Sequence, residues 1–285
     1  MLSVPCEQPR VGIGLDYKYR DDYAKPLSEL CRDWSARLSH LSIVSLQNRR
    51  EAADFRALAG SLPVVHHLSN IAPANPGGPD LELLDRQDAM SRVLGAAWCG
   101  EDIGIWSLGP YQIPYFAPPV LDESSVRFIA RGVREVARRC SVPFLAEIPS
   151  FSFVAGDLSL GEFFTRLVAD ADCSLVLDLS HVFSYALAKG TNAARVLESL
   201  PLDAVREIHI AGGKVSATHA TRYIDNHSDP VLEPVLDLLR IAARLCENLR
   251  AVTYEIGVSI RIETMEAELV KIQHILEQER FVPSW

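Results

Sequence analysis

Four short apolar segments in the second half of the chain each end at a side chain that can bind a metal ion. The four side chains are Glu147, Asp178, His209 and Glu255. Near-continuous apolar runs are typical of parallel strands that are buried on both faces. A charged group at the end of such a strand is costly unless it is paired or bound to a cation. Three acids and one imidazole at equivalent positions therefore predict a metal site.

Further candidate ligands fall where the same site could gather them. His67 ends another apolar run, His181 follows Asp178 by three residues, and Asp225 and His227 form an Asp-x-His pair. Each alone has a structural explanation, such as a hydrogen bond in the core or a helix cap. Several acids in one small space repel each other, however, which favours a bound cation over a purely structural role. A set of carboxylates and imidazoles without thiolates favours iron, manganese, magnesium or zinc.

The candidate ligands require a scaffold that brings distant strand ends together. Strands are predicted at residues 11–15, 41–45, 62–67, 103–108, 142–147, 174–178, 207–210 and 251–256, with helices at 23–38, 81–97, 123–140, 159–169, 192–200, 230–247 and 262–278. No Gly/Ser-rich linker interrupts this alternation. We therefore expect a single α/β domain over residues 1–285, a (β/α)8 TIM-like barrel of the xylose-isomerase type. In such barrels the chemistry lies at the C-terminal strand ends.

Composition argues against several other classes. The net charge of −9 and the lack of a Lys/Arg stripe argue against a nucleic-acid partner. No apolar run approaches the roughly 20 residues that a membrane span needs. The six cysteines are widely spaced, without a CxxC pair or a preceding signal peptide, so we expect a cytoplasmic protein with reduced thiols. Dinucleotide-loop, P-loop and Gly-x-Ser-x-Gly motifs are missing from the sequence.

The order of the short motifs resembles a known family. The motifs are Gly12-Ile13-Gly14-Leu15, Pro63 to His67, Leu145-Ala146-Glu147, Leu177 to His181, His209 to Gly212, Asp225-Asn226-His227 and Tyr254-Glu255. Their order is similar to that of the multinuclear non-heme iron oxidative enzymes, the DUF692 family. This family includes the iron oxygenases of methanobactin and 3-thiaglutamate biosynthesis.

The resemblance implies a TIM-like barrel that holds two, or at most three, iron ions in mixed Fe(II)/Fe(III) states and uses O2 as co-substrate. It implies oxidation of a ribosomally synthesised precursor peptide, often at Cys, in natural-product biosynthesis. It also implies a small leader-binding partner protein or domain. The expected metal ligands are His67, Glu147, Asp178, His181, His209, Asp225, His227 and Glu255.

Within that set the resemblance assigns roles. Glu147, Asp178 and His209 are the expected catalytic residues. His67 and Glu147 would bind one iron, the same Glu147 with Asp178, His209 and Glu255 would surround another, and the Asp-x-His pair would belong to the remaining site. The loops at residues 71–79 and 108–119, rich in Pro, Gly and aromatic residues, are expected to flank the rim where a peptide would pass.

Two departures from the family pattern lower the expected number of irons. Ile103 stands where a ligand His is usual, and Gly213 stands where a second His follows His209; His181 can compensate for one of them. Two alternatives stay open. One is a manganese- or magnesium-dependent sugar isomerase or epimerase, with Lys214 as its candidate lysine. The other is a barrel that has lost catalysis and only binds peptides.

Overall fold

Eight parallel strands close into a barrel with helices outside, which confirms the predicted fold. The computed structural model describes residues 11–19, 27–34 and 36–280. In chain order the elements are β1 (Ile13–Lys18), α1 (Leu27–Trp34), β2 (His40–Val44), α2 (Arg49–Ala59), β3 (Val64–His67), α3 (Leu81–Leu94), β4 (Cys99–Asp102), β5 (Ile105–Leu108), β6 (Tyr111–Ala117), α4 (Glu123–Arg139), β7 (Phe144–Glu147), α5 (Leu160–Ala171), β8 (Ser174–Asp178), α6 (Leu179–Lys189), α7 (Ala193–Glu198), β9 (Val205–Ala211), β10 (Gly213–Val215), β11 (Tyr223–Asp225), α8 (Glu233–Leu245), β12 (Ala251–Glu255) and α9 (Ile262–Arg280).

The strand register sets the functional side chains at one height. The barrel strands follow one another in chain order, and β1 closes the ring by pairing with both β2 and β12. Direct partners at the C-terminal rim are Asp16 with Glu255, Asp102 with Glu147, and Asp178 with His209. Acidic residues from several strands therefore meet at one end of the barrel.

The prediction of the fourth barrel strand at residues 103–108 is wrong. The strand that joins the barrel is β4, which pairs with β3 and β7. Its sequence is polar and therefore does not show the apolar pattern of a buried strand. The buried Glu101 is tolerated there because it accepts hydrogen bonds from the backbone N–H groups of Ile71 and Ala72 at 3.0 and 3.1 Å. Asp102 consequently ends a barrel strand at the rim, whereas the sequence pattern places it at a strand start.

Residues 105–117 form an antiparallel hairpin, β5–β6, outside the barrel sheet. Asn75 Oδ1 accepts a hydrogen bond from the backbone N–H of Trp106 at 2.8 Å, which joins the hairpin to the loop at 71–79. Phe116 is buried and packs edge-on against Trp106, with ring centroids 5.1 Å apart. The exposed apolar side chains of the hairpin are Leu108, Tyr111 and Tyr115.

Three of the predicted helices begin with a side-chain cap. Asp80, Asp122 and Ser159 accept hydrogen bonds from backbone N–H groups in the first turns of α3, α4 and α5, and Ser159 forms a capping box with Glu162. The helix predicted at residues 23–38 is observed as α1, and part of that prediction lies outside the described residues. Among the residues that the structure describes, no helix is long and apolar enough to cross a bilayer.

Two helices, α2 and α6, were not predicted from the sequence. α6 begins directly after β8, and the Asp178 carboxylate caps it by accepting a hydrogen bond from the His181 backbone N–H at 2.7 Å. This tight strand-to-helix turn returns the His181 side chain to the rim, where it is buried.

A polar layer fills the barrel below the rim. His40 on β2 contacts Thr253 on β12 although β1 lies between these strands, so the two side chains meet inside the barrel. Gly14 on β1 makes this contact possible, because a Cβ atom there would lie 2.2 Å from the His40 Nε2 atom.

We expect Gly14→Ala to lower the free energy of unfolding by about 1–3 kcal/mol, since the new methyl group and the buried imidazole cannot both keep their positions. Chemical denaturation measures the effect. Gly77→Ala is the control, because a Cβ at Gly77 meets nothing within 4 Å; it should change stability by less than about 0.5 kcal/mol. Equal losses in the two variants would contradict the close approach.

Candidate metal centre

One group of potential ligands lies at the ends of β3, β7, β9 and β12. His67 Nε2 is 2.8 Å from Glu147 Oε2, and His209 Nδ1 is 3.0 Å from the other oxygen, Oε1. Glu255 Oε1 lies 3.3 Å from the same His209 nitrogen. One ligand atom from each of the four side chains lies within 4.8 Å of the other three. Nitrogen and oxygen donors at this spacing suit a single divalent transition-metal ion.

A second group shares Glu147 with the first. Asp102 and His181 offer ligand atoms within 4.8 Å of each other and of Glu147. His181 Nδ1 lies 2.7 Å from the Ile148 carbonyl oxygen, so Nδ1 is the donor and Nε2 is the nitrogen left to bind a cation. Because Glu147 belongs to both groups, its two oxygens can bridge two cations.

The Asp-x-His pair lies beside both groups. Asp225 Oδ2 is 3.1 Å from His181 Nε2, and Asp225 Oδ1 is 3.4 Å from His227 Nε2. His227 Nε2 is also 3.7 Å from Glu255 Oε2. The backbone of His227 has a φ of 55°, in the left-handed region, and hydrogen bonds from its N–H to the Gly212 carbonyl and from the Gly257 N–H to its own carbonyl hold it there. The turn thus aims this imidazole at the rim.

Asp178, predicted to be a ligand, lies in neither of the two ligand groups. Its Oδ1 caps α6, and its Oδ2 lies 4.0 Å from His181 Nε2. Among the described residues, Asp178 Oδ2 and Asp102 Oδ1 have no hydrogen-bond partner although both are buried. Buried oxygen atoms without partners are costly, and a bound cation would satisfy them.

Buried negative charge exceeds the positive charge that the rim itself can supply. In the part of the chain that the structure describes, no Lys or Arg forms an ion pair with these acids. If all seven carboxyls were ionised, three negative charges would remain even with every neighbouring imidazole protonated. The groups are the carboxyls of Asp16, Asp102, Glu147, Asp178, Glu207, Asp225 and Glu255 and the imidazoles of His67, His181, His209 and His227. The donor set therefore fits one or more bound cations.

The crowding shifts pKa values in both directions. Burial raises the pKa of Asp178 to about 7 and, together with the Glu255 charge, that of Asp16 to about 6. Despite its burial, Glu147 has its pKa lowered to about 2 by His209 and His67. The pKa of His67, which burial alone would lower, rises to about 10 beside Glu147. Glu147 is thus ionised, and metal binding would replace protons held by the imidazoles.

At both positions where the family pattern has a histidine that this chain lacks, Ile103 and Gly213, other side chains occupy the space. Ile103 is buried in the hydrophobic core. A Cβ atom at Gly213 would lie 2.4 Å from the Tyr223 hydroxyl, so the Tyr223 side chain occupies the space beside this glycine. Burial and the charges of Asp225 and Asp178 raise the pKa of Tyr223. No pattern in the sequence marked Tyr223 as a neighbour of the centre.

Lys214, the candidate lysine of a sugar isomerase, contacts a different acid. Its Nζ lies 2.8 Å from Asp229 Oδ2, and 57% of its side chain is exposed. Asp102, which is not among the ligands predicted from the sequence, belongs to the second ligand group. The misplacement of β4 explains that error.

Solved structures show which fold the chain shares. Endonuclease IV from Thermus thermophilus superposes with a TM-score of 0.59 and 19% identity, covering 94% of this chain and 99% of that one. A xylose isomerase domain protein from Planctomyces limnophilus superposes with a TM-score of 0.60 and 13% identity, covering 96% and 99%. The fold is that of the xylose-isomerase-like TIM barrels.

The chain belongs to the MbnB/TglH/ChrH family of RiPP precursor modification enzymes, whose sequence model matches residues 10–277. RiPPs are ribosomally synthesised and post-translationally modified peptides. A UPF0276 protein of Paraburkholderia phytofirmans is 30% identical over 199 residues, which are 67% of this chain and 64% of that protein. The match thus spans slightly less than two thirds of this relative. These findings confirm the resemblance to the DUF692 family that the motifs indicated.

Metal content should follow the two ligand groups. After loading with Fe(II) in the absence of O2, we expect about two bound ions per chain. His67→Gln should lose the ion of the first group and His181→Gln that of the second, because each removes a direct ligand. Glu147→Gln should weaken both. Elemental analysis measures the ratios.

The matched control is His66→Gln, one residue before His67 on the other side of β3. His66 Nδ1 lies 2.7 Å from Ser91 Oγ on α3, away from the rim. This variant should keep the iron content of the unmodified protein. Full iron content in Glu147→Gln would rule out the shared carboxylate.

Proposed function

We propose that the protein is an O2-dependent non-heme iron enzyme that oxidises a ribosomally made precursor peptide in the cytoplasm, with a peptide Cys as the reacting residue. The observation that carries the proposal is Glu147, a single ionised carboxylate shared by two ligand groups, in a chain of the precursor-modification family. Such sharing favours a di-iron centre.

The donor set supports iron. It combines imidazole nitrogens with carboxylate oxygens and contains no thiolate, and such N/O sites suit iron among the redox-active metals. Bound iron would supply the redox capacity to reduce O2 while the substrate is oxidised. His67, His209, Glu255 and Glu147 would hold one ion, and Glu147, Asp102 and His181 the other. His227 lies beside Glu255 of the first set, and Asp225 and Asp178 lie beside His181 of the second.

The chain's own residues orient the centre and limit access to it. The Ile148 carbonyl fixes the His181 ring, and Asp178 fixes the turn that carries it. Most ligand side chains are buried, whereas His67 and His227 expose 14% and 22% of their side chains. The peptide would therefore approach between these two imidazoles, and the barrel would exclude water from the remaining sides.

The β5–β6 hairpin supports an extended peptide as substrate. Tyr115 stacks on Phe116, with centroids 4.6 Å apart. Desolvation and the charges of Asp102 and Asp225 raise the pKa of Tyr115, and 55% of this residue is exposed. Exposed apolar side chains on a two-stranded sheet are one surface to which extended peptides bind. The leader would be held by the small partner protein or domain that the family resemblance implies.

The reaction is tested with the iron-loaded protein, candidate precursor peptides that contain Cys, and a leader-binding partner co-expressed with them. Mass spectrometry of the peptide, with and without O2, should show an O2-dependent mass change. Glu147→Gln should abolish it, because both ligand groups lose a donor. Turnover of a free sugar without any effect of O2 would move the assignment to the isomerase alternative, and peptide binding without a mass change would favour a non-catalytic scaffold.

The hairpin should act on peptide binding more than on chemistry. We expect Tyr111→Ala and Leu108→Ala to raise the KM for the peptide about tenfold, equivalent to about 1.4 kcal/mol, with kcat nearly unchanged. Val270→Ala is the control, because Val270 is also an exposed apolar residue but lies on α9, outside the barrel. Equal KM values in all three variants would place the peptide elsewhere.

A further inference from the structure

A buried polar chain lies directly beneath His209. Glu207 precedes His209 by two residues on β9, so the two side chains are on the same face of the strand. Glu207 Oε1 lies 3.3 Å from His209 Nε2 and accepts a hydrogen bond from the Thr253 hydroxyl. Glu207 Oε2 accepts one from Trp98 Nε1 at 2.6 Å. All four residues are buried.

The hydrogen bonds of this chain run in one direction. Burial lowers the pKa of His40 to about 4, so its ring is neutral and carries one proton. His40 Nε2 is 2.9 Å from Thr253 Oγ1, and His40 Nδ1 is 2.8 Å from Ser39 Oγ. The Thr253 hydroxyl gives its only proton to Glu207, so it must accept from His40 Nε2. His40 and Thr253 therefore both donate towards Glu207, which has only acceptor atoms when ionised; the Ser39 hydroxyl at the far end also lies within hydrogen-bond distance of the Ile13 carbonyl oxygen, at 3.2 Å.

His209 needs its proton on the side of Glu207. Its Nδ1 faces Glu147 and Glu255 at 3.0 and 3.3 Å, so Nδ1 is the nitrogen that a metal ion would meet. A neutral imidazole that binds metal through Nδ1 keeps its proton on Nε2. The carboxylate that faces Nε2, among the residues that the structure describes, is that of Glu207; the 3.3 Å contact is an ion-pair approach, and Nε2 has no aligned hydrogen-bond partner.

We propose that Glu207 is a positioning residue, which holds His209 in the tautomer and orientation that leave Nδ1 free for the metal ion. The proposal rests on the proposed metal-binding function of the first ligand group. Carboxylates that accept the second N–H of a metal-bound imidazole usually change metal affinity by about 10- to 100-fold. Trp98 and the chain from Thr253 to Ser39 keep the carboxylate in place from the other side.

The tautomer can be read directly. Protein labelled with ¹⁵N-histidine and loaded with Zn(II), a diamagnetic probe, gives ¹H–¹⁵N correlation spectra that distinguish a metal-bound nitrogen from a protonated one. For His209 we expect Nδ1 bound to zinc and a slowly exchanging proton on Nε2. Zinc bound to Nε2 in the unmodified protein would overturn the proposal without any variant.

Glu207→Gln provides the second test. The new amide group brings its own N–H donors, so at least one of the donors that meet at Glu207 then faces another donor. We therefore expect the affinity for Zn(II) and Fe(II) to be about 10- to 100-fold weaker. Competition with a chromogenic chelator in the absence of O2 measures it. The slowly exchanging Nε2 proton should also be lost. The control is Glu268→Gln, the same change at a buried carboxylate of α9 that pairs with Lys271. Its metal affinity should equal that of the unmodified protein.

The outcomes separate the two proposals. Unchanged affinity together with a retained Nε2 proton in Glu207→Gln would overturn the positioning role and leave the metal function intact. If the unmodified protein bound no metal, the proposed function would fail. The spectrum of the metal-free protein would then still test the contact between Glu207 and His209. The protected His209 Nε2 proton should be present in the unmodified protein and absent from Glu207→Gln. Its absence from both proteins would overturn the positioning role as well.

Discussion

The C-terminal rim of the barrel buries more carboxyl groups than it has histidines to neutralise them. Much of the surrounding structure either creates this excess of acids or reduces its cost. Strand register places the acids side by side, with Asp16 against Glu255 and Asp102 against Glu147. Without cations the cost is reduced in two ways: burial raises the pKa of some acids, and the imidazoles take up protons. A cation would relieve both adjustments at once, so metal binding and folding stability should be coupled.

The polarity of the rim continues into the barrel, which is unusual for an interior commonly filled by branched apolar side chains. Glu207 lies one layer below His209, and His40 lies close to the barrel wall because Gly14 has no side chain. Glu207, Thr253 and His40 each have a partner, so this layer avoids the cost of unsatisfied atoms. The rim acids differ in this respect, since Asp102 and Asp178 keep oxygens without partners among the described residues. The lower layer is therefore suited to support, and the rim is suited to binding.

Sequence reasoning placed a side chain correctly at the rim where a carboxylate ends an apolar strand. Glu147, Asp178 and Glu255 each follow several buried apolar residues, and the period of the pattern fixes their position in the barrel. It failed at β4, because Glu101 is stabilised by backbone N–H groups from a loop that is distant in sequence. It could not find Tyr223 or the role of Glu207, since both depend on contacts between strands. Spacing along one strand shows which face a residue occupies, but not what lies across the barrel.

The substituted positions show how the centre tolerates the loss of expected imidazoles. Ile103 and the Tyr223 side chain beside Gly213 fill their spaces with apolar or aromatic groups, while His181 brings an imidazole from a helix that Asp178 caps. An imidazole on a helix can therefore reach the rim if the helix begins there. A barrel that only bound peptides would be more stable without these acids, because buried charges that lack counter-ions are costly. Their presence together with His181 is the physical argument for a metal centre over a scaffold that has lost it.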